Sequence, residues 1–485
     1  METNTAYLLT ACILAAFGYI GLQASNRETD DDSYLSSRGT QDWRGIGLSL
    51  FASGMGVWIL LGPSEVAYYG GFWDVTGYAV SSMTPFLLLA YIGPMIRDSI
   101  PDGITLADYA RQRLGRRMQI YVGAISILYM FTFLFAEFTA IGKVMEHISG
   151  MKPLAPMIMV GAVTAAYTAY GGLPASLATD RVQALVISVL VTLVLLVLLG
   201  GDPGQMLEDA RAYNTDDAWS VGSISHMQSF ESGLALVVAI TAAEMFSQGN
   251  WQRVYASKDD DSLRRGALLA AAMVFPLVFA MGFLGTVAAG QGGVAAPSIA
   301  FFYVLGEASF LVASVLIVLV VSLVCSSADT LQNAIVASYS RDISDGEMDL
   351  ITSRLATVAM IPLAIYMASG PTIFGFEINA LSVFGIFLFA DMLAAATVSP
   401  VLLTLWGGVS SRGAFLGCLA GFASVALYGF LDPPSGSDFY MYIINPTGDA
   451  IPAHEGGLTN LWAFLSAIVG STVVTVVGSY ALPDE

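Results

Sequence analysis

The sequence predicts an all-α polytopic membrane protein of about thirteen transmembrane helices. Apolar residues make up 55% of the 485 residues and charged residues only 12%, about half the charged share of an ordinary soluble domain. Mean hydropathy is +0.68. Apolar stretches of roughly 20 residues, enough to cross a bilayer as a helix, recur from end to end, and acidic residues crowd the segments between them.

The predicted spans are 5–23, 45–70, 74–97, 119–148, 154–170, 175–200, 229–250, 263–290, 306–340, 351–370, 377–406, 412–431 and 460–482. An odd count puts the termini on opposite sides. The first span follows only "METNT" and no small-residue cleavage site succeeds it, so it reads as a retained helix. In the second, Gly54, Gly56, Gly62 and Pro63 argue against an uninterrupted helix. A broken membrane helix frees carbonyls that must line a cavity or a bound ion. Gly54–Gly56, flanked by Ala52 and Met55, is the favoured place for unwinding, whereas Pro63 reads equally well as a simple kink. Gly171, Gly172 and Pro174 mark a short turn before the sixth span. Asp180 follows it, where the helix dipole alone would suit an acidic residue.

The ninth span carries "VVSLVCSSADTLQNA" at 320–334, with Ser322, Ser326, Ser327, Asp329, Thr330, Gln332 and Asn333 inside an apolar run. Positions 322, 326, 329/330 and 333 share one helical face. Ser326, Ser327 and Thr330 offer neutral oxygens and Asp329 a charged one, the ligand type that hard cations prefer. Small hydroxyl residues also glue membrane helices together, and for Ser322 alone that reading is better. A carboxylate at mid-bilayer costs about 2.5–3.5 kcal/mol, which favours an ion site for the stripe as a whole. Glu65, Glu137, Glu244 and Asp391 are further carboxylates inside spans, each with Ser, Tyr or backbone partners available.

Lys and Arg set the orientation. With the N-terminus outside, the inner loops hold Arg27, Arg38, Arg44, Arg97, Arg111, Arg113, Arg116, Arg117, Arg253, Lys258, Arg264, Arg265, Arg341, Arg354 and Arg412. Arg181 lies near the inner end of its span, and Lys143, Lys152 and Arg211 lie at or beyond outer ends. A multi-pass protein of the cell membrane, N-terminus out and C-terminus cytoplasmic, is expected. The formal charge of −19, concentrated at 30–32, 208–217 and 258–261, suits a high-salt cytoplasm, where repulsion is screened. It excludes nucleic acid as a partner, and no obligate protein partner is indicated.

Cys12, Cys325 and Cys418 fall inside spans and offer no disulfide framework or metal spacing. Gly171–Gly172 lack the P-loop lysine, so ATP-driven transport is not expected. His147, His226 and His454 lie at span ends or in loops, which leaves an intramembrane Ser–His hydrolase without its base. No enzyme and no attached soluble domain are expected; the two longest loops, 201–228 and 432–459, are predicted outside.

Five strings in order resemble the sodium:solute symporter family, whose members include sodium-coupled sugar, proline, pantothenate and sialic-acid carriers. They are "YLSSRGTQDWRGIGLSLFASGMG" at 34–56, "TLADYARQRLGRR" at 105–117, "YGGLPASLATDRVQ" at 170–183, "QGNWQRVYASKDDDSLRRG" at 248–266 and "SSADTLQNA" at 326–334. The likeness runs from about 34 to 420. It implies a five-plus-five inverted-repeat core of the leucine-transporter type, with a first repeat at 45–200 and a second at 229–406. An extra helix and inner acidic loop (1–44), an outer acidic loop (201–228) and two C-terminal helices (407–485) would flank them.

The resemblance also implies a sodium site from the carbonyls of Ala52, Met55 and Leu323 and the hydroxyls of Ser326 and Ser327. A second ion or proton site would use Asp180 with Ser326, Asp329 and Thr330; some members have Ser where this chain has Asp329. Gly54 stands where proline carriers have Asp, so proline-carrier properties do not transfer directly. The expected function is sodium-coupled symport of a small organic solute, proline or a related amino acid or osmolyte by family frequency. Candidate substrate residues are Trp58, Ser64, Glu65, Glu137, Gln248 and Asp391. The competing readings are a proton-coupled carrier of the same fold using Asp329 or Asp180, and a non-transporting membrane sensor.

Overall fold

The computed structural model describes residues 1–25, 31–200, 202–212, 227–306, 309–373, 376–378, 381–432, 439–446 and 458–484. Arg27, Asp30, His226, His454, residues 213–226 of one expected outer loop and 433–438 and 447–457 of the other lie outside these.

Helix α1 (Thr3–Ser25) and the short α2 (Asp31–Ser36) precede the core. Asp42 caps α3 (Trp43–Gly54), its carboxylate accepting from the Gly45 N–H at 2.8 Å. The helix stops at Met55, whose backbone is extended (φ −100°, ψ 91°). A 3₁₀ turn over Val57–Leu60 follows, and α4 (Gly62–Ser99) resumes the helix. Gly56 leaves room at the break for the Glu137 carboxylate: a Cβ there would lie 1.9 Å from its Oε1 and displace it.

Helix α4 has 38 residues, and α7 (Leu154–Leu199) has 46. At 1.5 Å per residue they would extend roughly 57 and 69 Å, about twice the hydrocarbon core of a bilayer. Both reverse at a glycine instead, Gly71 (φ 70°, ψ −147°) and Gly172 (φ 58°, ψ −147°), a backbone region open almost only to glycine. Tyr78 returns to stack on Trp58 of the 3₁₀ turn at 5.6 Å between ring centroids, and a Cβ on Gly62 would lie 2.9 Å from the Tyr78 hydroxyl, so the two halves of α4 lie side by side. In α7, Tyr167 and Thr179 flank the turn and both donate to Asp329 Oδ2, at 2.6 and 3.1 Å.

The remaining elements are α5 (Leu106–Leu114), α6 (Arg116–Ser149), α8 (Pro203–Ala212), α9 (Met227–Glu244), α10 (Gln248–Ala256), α11 (Asp260–Gln291), α12 (Ala300–Leu305), α13 (Phe310–Ser338), α14 (Leu350–Ala368), α15 (Val383–Leu402), α16 (Ser411–Leu431), α17 (Met441–Ile444) and α18 (Leu461–Ala481). A two-residue β-hairpin pairs β1 (Thr372–Ile373) with β2 (Phe376–Glu377).

Ten helices among the described residues are long and apolar enough to cross a membrane, and the α9–α10 pair, bent by 58°, adds an eleventh. Dividing α4 and α7 at their glycines makes thirteen. The broken α3–α4 element opens one run of five spans, and the broken α9–α10 element opens the next. Interrupted helices at corresponding places in two halves are the mark of an inverted-repeat transporter core.

Basic loops gather at one end of the bundle. Arg38 donates to Pro101 O (2.5 Å) and Gly103 O (3.0 Å), Arg97 to Asp260 (2.6 Å), and Arg341 to Asp108 (3.1 Å). Arg354 donates to Tyr170 O at 3.1 Å, which puts the Gly172 turn at the same end. At the other end Thr3 donates to Ser149 O (2.8 Å) and Gln291 to Asp209 (2.9 Å). Arg253 departs from the sequence expectation. It is not a loop residue but lies in α10, fully buried in the bundle.

Gly172→Ala tests the reversal in α7. A Cβ there would meet Tyr34 O at 2.4 Å, and the backbone strain alone costs about 1–3 kcal/mol. The variant is expected to lose monodisperse protein and melting temperature in fluorescence-detected size-exclusion assays. Wild-type melting would contradict a glycine-dependent turn.

Candidate functional site

Two hydrogen-bonded carboxylates join the broken helix to α13. The lower is Asp180, on the second half of α7. Its Oδ1 accepts from Ser326 (2.8 Å), and its Oδ2 accepts from Ser49 of α3 (2.6 Å) and from Arg253 Nη2 (2.7 Å). Arg253 also donates to Ser49 Oγ (3.0 Å), Thr330 Oγ1 (2.8 Å) and Gly249 O (3.1 Å). Both members of the Arg253–Asp180 ion pair are 0% exposed. Ser49 lies one turn before Ala52 on α3, so this cluster sits directly beneath the break.

The upper carboxylate is Glu137 on α6. Its Oε2 accepts from the Val57 N–H, the first of the 3₁₀ turn, at 2.8 Å, and from Ser327 at 3.1 Å. A carboxylate is the natural partner for unsatisfied N–H groups at a helix start. Ser326 and Ser327 therefore each stand one carboxylate away from the broken helix. Ser326 directs its proton at Asp180, and Ser327 has Glu137 and the Leu323 and Val324 carbonyls as acceptors; in either case the hydroxyl lone pairs are left for a cation. Ala52 and Met55 are buried at the break, where the Ala52 carbonyl accepts from the Met55 N–H at 3.1 Å. The Leu323 carbonyl is 3.2 Å from Ser327 Oγ.

Asp329 has its own surroundings. Tyr167 (2.6 Å), Ser176 (2.7 Å) and Thr179 (3.1 Å), all on α7, donate to it. Asp180 and Thr330 converge on the Arg253 guanidinium, whereas Asp329 has no ion-pair partner among the described residues.

At the level of Glu137 a cavity lies between the two breaks. Its carboxylates are Glu137, Glu244 at the end of α9, and Asp391 on α15. Its walls include Trp58, Tyr78, Tyr129, Phe133, Phe384 and Phe387. Tyr129 and Phe133 rings lie 4.6 Å apart, and Phe133 and Phe387 4.5 Å.

Of the sequence-derived substrate candidates, the structure brings Trp58, Glu137 and Asp391 to this cavity. It puts the other three elsewhere. Ser64 donates to Leu61 O (3.0 Å) and its backbone packs on Gly285 of α11. Glu65 lies beside Ser382 and Lys143. Gln248 donates to Ile104 O at 2.5 Å, at the basic end. Sequence reasoning misses Ser49, Tyr167, Ser176, Thr179 and Arg253, which surround Asp180 and Asp329, and Tyr78, Tyr129 and Asn250 in the cavity. One signal for the last exists: "EMFSQGN" at 244–250 interrupts an apolar run at the place in the second half that Gly54–Gly56 occupies in the first.

A model of the sodium:solute symporter family matches residues 34–421. The spermidine transporter of Candida albicans is 30% identical over 409 residues, 82% of this chain and 74% of that protein. The human sodium/myo-inositol cotransporter is 30% identical over 210 residues, 43% of this chain but only 28% of its own length. Among solved structures, a Na⁺-coupled sialic acid symporter in a substrate-bound outward-open state aligns over 98% of both chains with TM-score 0.74 and 15% identity. A nucleobase-cation-symport-1 family transporter in a closed conformation aligns over 94% of this chain and 97% of its own, with TM-score 0.58 and 16% identity. At these identities the likeness is one of fold, the leucine-transporter-type inverted repeat. The matched family model and the long match to the Candida albicans transporter together establish kinship: this chain belongs to the sodium:solute symporter family.

Proposed function

We propose that the chain is a sodium-coupled secondary active symporter that carries a small organic solute into the cell by alternating access. The observation that carries this reading is the break at Met55–Gly56 tied to Ser326 and Ser327 through two carboxylates. The donors available there, three carbonyls and two hydroxyls, are hard neutral oxygens, which suit an alkali cation and not a soft metal. Sodium entering as co-substrate would take the carbonyls of Ala52, Met55 and Leu323 and the hydroxyls of Ser326 and Ser327. Glu137 behind Ser327 would supply the negative field, whereas Asp180 behind Ser326 is already paired with Arg253 and orients the hydroxyl.

Bound there, sodium ties α3 and the 3₁₀ turn to α13 and favours the state in which the solute cavity is formed. Coupling requires only that the two states differ in ion affinity. When sodium leaves toward low internal concentration the tie loosens and the solute follows. The basic loops gathered at one end support an orientation with the N-terminus outside and the C-terminus in the cytoplasm; Arg253 no longer counts toward it, but the remaining inner arginines do.

A second cation or proton would engage Asp180, Asp329 and Thr330. The Arg253 guanidinium holds Asp180 and donates to Thr330, so Asp329, ringed by the hydroxyls of Tyr167, Ser176, Thr179 and Thr330, is the carboxylate that remains for an ion. For the solute, the relatives' names bring a polyamine and a cyclic polyol alongside proline or a related osmolyte.

In reconstituted vesicles, Ser326→Ala and Ser327→Ala are expected to raise the sodium concentration for half-maximal solute uptake by about tenfold or more, the usual weight of a bond to a charged group. Asp329→Asn is expected to make the sodium dependence less steep. Unchanged half-saturation in both serine variants would remove the site, and unchanged steepness would remove the second ion.

Cysteine labelling of intact cells tests the orientation. A membrane-impermeant maleimide should modify Glu2→Cys and spare Pro483→Cys until the cells are opened; the reverse pattern would invert the topology.

A further inference from the structure

We propose that the transported solute is an organic cation, an amine whose ammonium group is held between Glu244 and Asp391 and lies against aromatic ring faces. This deepens, and rests on, the reading of the chain as a symporter.

Charge balance in the cavity carries the inference. The charged lining residues are Glu137, Glu244 and Asp391, and no Lys, Arg or His appears among the described residues that line it. Glu137 is committed to Val57 and Ser327. Glu244 has only neutral partners, the Tyr129 hydroxyl at 3.2 Å and the Asn250 amide at 2.8 Å. Asp391 is 3% exposed and accepts no hydrogen bond from any described residue. It lines the same cavity as Glu244.

A carboxylate taken out of water without a partner is costly, and inside a membrane such a group marks a site whose partner arrives from elsewhere. The protein's own nearby cations are engaged: Arg253 pairs with Asp180, and Lys143 faces Glu65. Co-transported sodium would sit on the Ser327 side of Glu137, which leaves Glu244 and Asp391 for the solute.

A neutral polyol brings no compensating charge. A zwitterion brings a carboxylate of its own, for which the lining offers no cation. An ammonium group satisfies both carboxylates, donating to Asp391, which has no other donor among the described residues, and adding a charged partner to the neutral ones of Glu244. The remaining walls fit the same class. The stacked Trp58–Tyr78 pair and the Tyr129–Phe133–Phe387 row present ring faces that attract a cation and apolar surface for its methylenes. Linear diamines and triamines combine two such ends with an alkyl spacer.

The test uses the purified full chain in proteoliposomes under an inward sodium gradient, with labelled putrescine and spermidine against proline and glucose. Both amines are expected to accumulate and to compete with each other, and proline and glucose to do neither. Asp391→Asn and Glu244→Gln are each expected to raise the amine KM about ten- to a hundredfold, as loss of a charge-assisted bond does. Sodium-dependent thermal stabilisation, which draws on other residues, should persist in both. Unchanged KM in both variants overturns the assignment of these carboxylates. Gradient-driven uptake of proline or glucose without inhibition by amines overturns the solute class and leaves symport standing. Amine binding by calorimetry on the unmodified chain, without sodium-driven uptake, keeps the class and overturns symport. Absence of such binding overturns the class whatever the variants do.

Discussion

The buried ion pair between Arg253 and Asp180 is the constraint on which the rest of the core depends. Neither side chain reaches solvent. Removing two ions from water costs several kcal/mol each, offset here only because every neighbouring group is a hydrogen-bond partner. Ser49, Ser326 and Thr330 complete the cluster, so one ion pair fastens α3, the second half of α7, α10 and α13 to a single point. The break in α3 lies one turn above that point. The lower part of the broken helix is thereby anchored, and its upper part, from Val57 onward, is held by Glu137.

This gives the interior two levels of different charge. In the lower level Asp180 has a permanent cation supplied by the protein. In the upper level Glu137, Glu244 and Asp391 share a cavity with no protein cation in its described lining. On the proposed reading, cationic cargo would supply the charge that this lining lacks. Sodium at the break and a cationic solute in the cavity would both be drawn by the same field. Their direct interaction is repulsive, so positive coupling must come through the ordering of the broken helices, which each ligand would stabilise from its own side.

Much of the architecture is legible in the sequence because the bilayer imposes a length on every apolar run. The thirteen spans follow from hydropathy, and the turns within α4 and α7 follow because runs twice the bilayer's width cannot be single crossings. The polar stripe on α13 is legible because carboxylates and hydroxyls are conspicuous in an apolar helix. Partner choice is not. Ser64, Glu65 and Gln248 give the same sequence signal as Glu137 and Asp391, yet they face α11, Lys143 and the basic end. Arg253 reads as a loop residue because "QGNWQRVYA" has the polarity of a loop, and only the folded bundle supplies Asp180 from α7. Tyr78, Tyr129, Phe384 and Phe387 are invisible as cavity walls, since aromatics in apolar runs are ordinary core.

The most direct test of the coupling is reciprocal equilibrium binding on the detergent-solubilised chain. Labelled amine is titrated at a series of sodium concentrations, and radioactive sodium at a series of amine concentrations. Thermodynamic linkage requires the two affinities to change by the same factor, and the ordering of the broken helices predicts that each ligand tightens the other. Amine affinity that is independent of sodium, or that weakens as sodium rises, would contradict it.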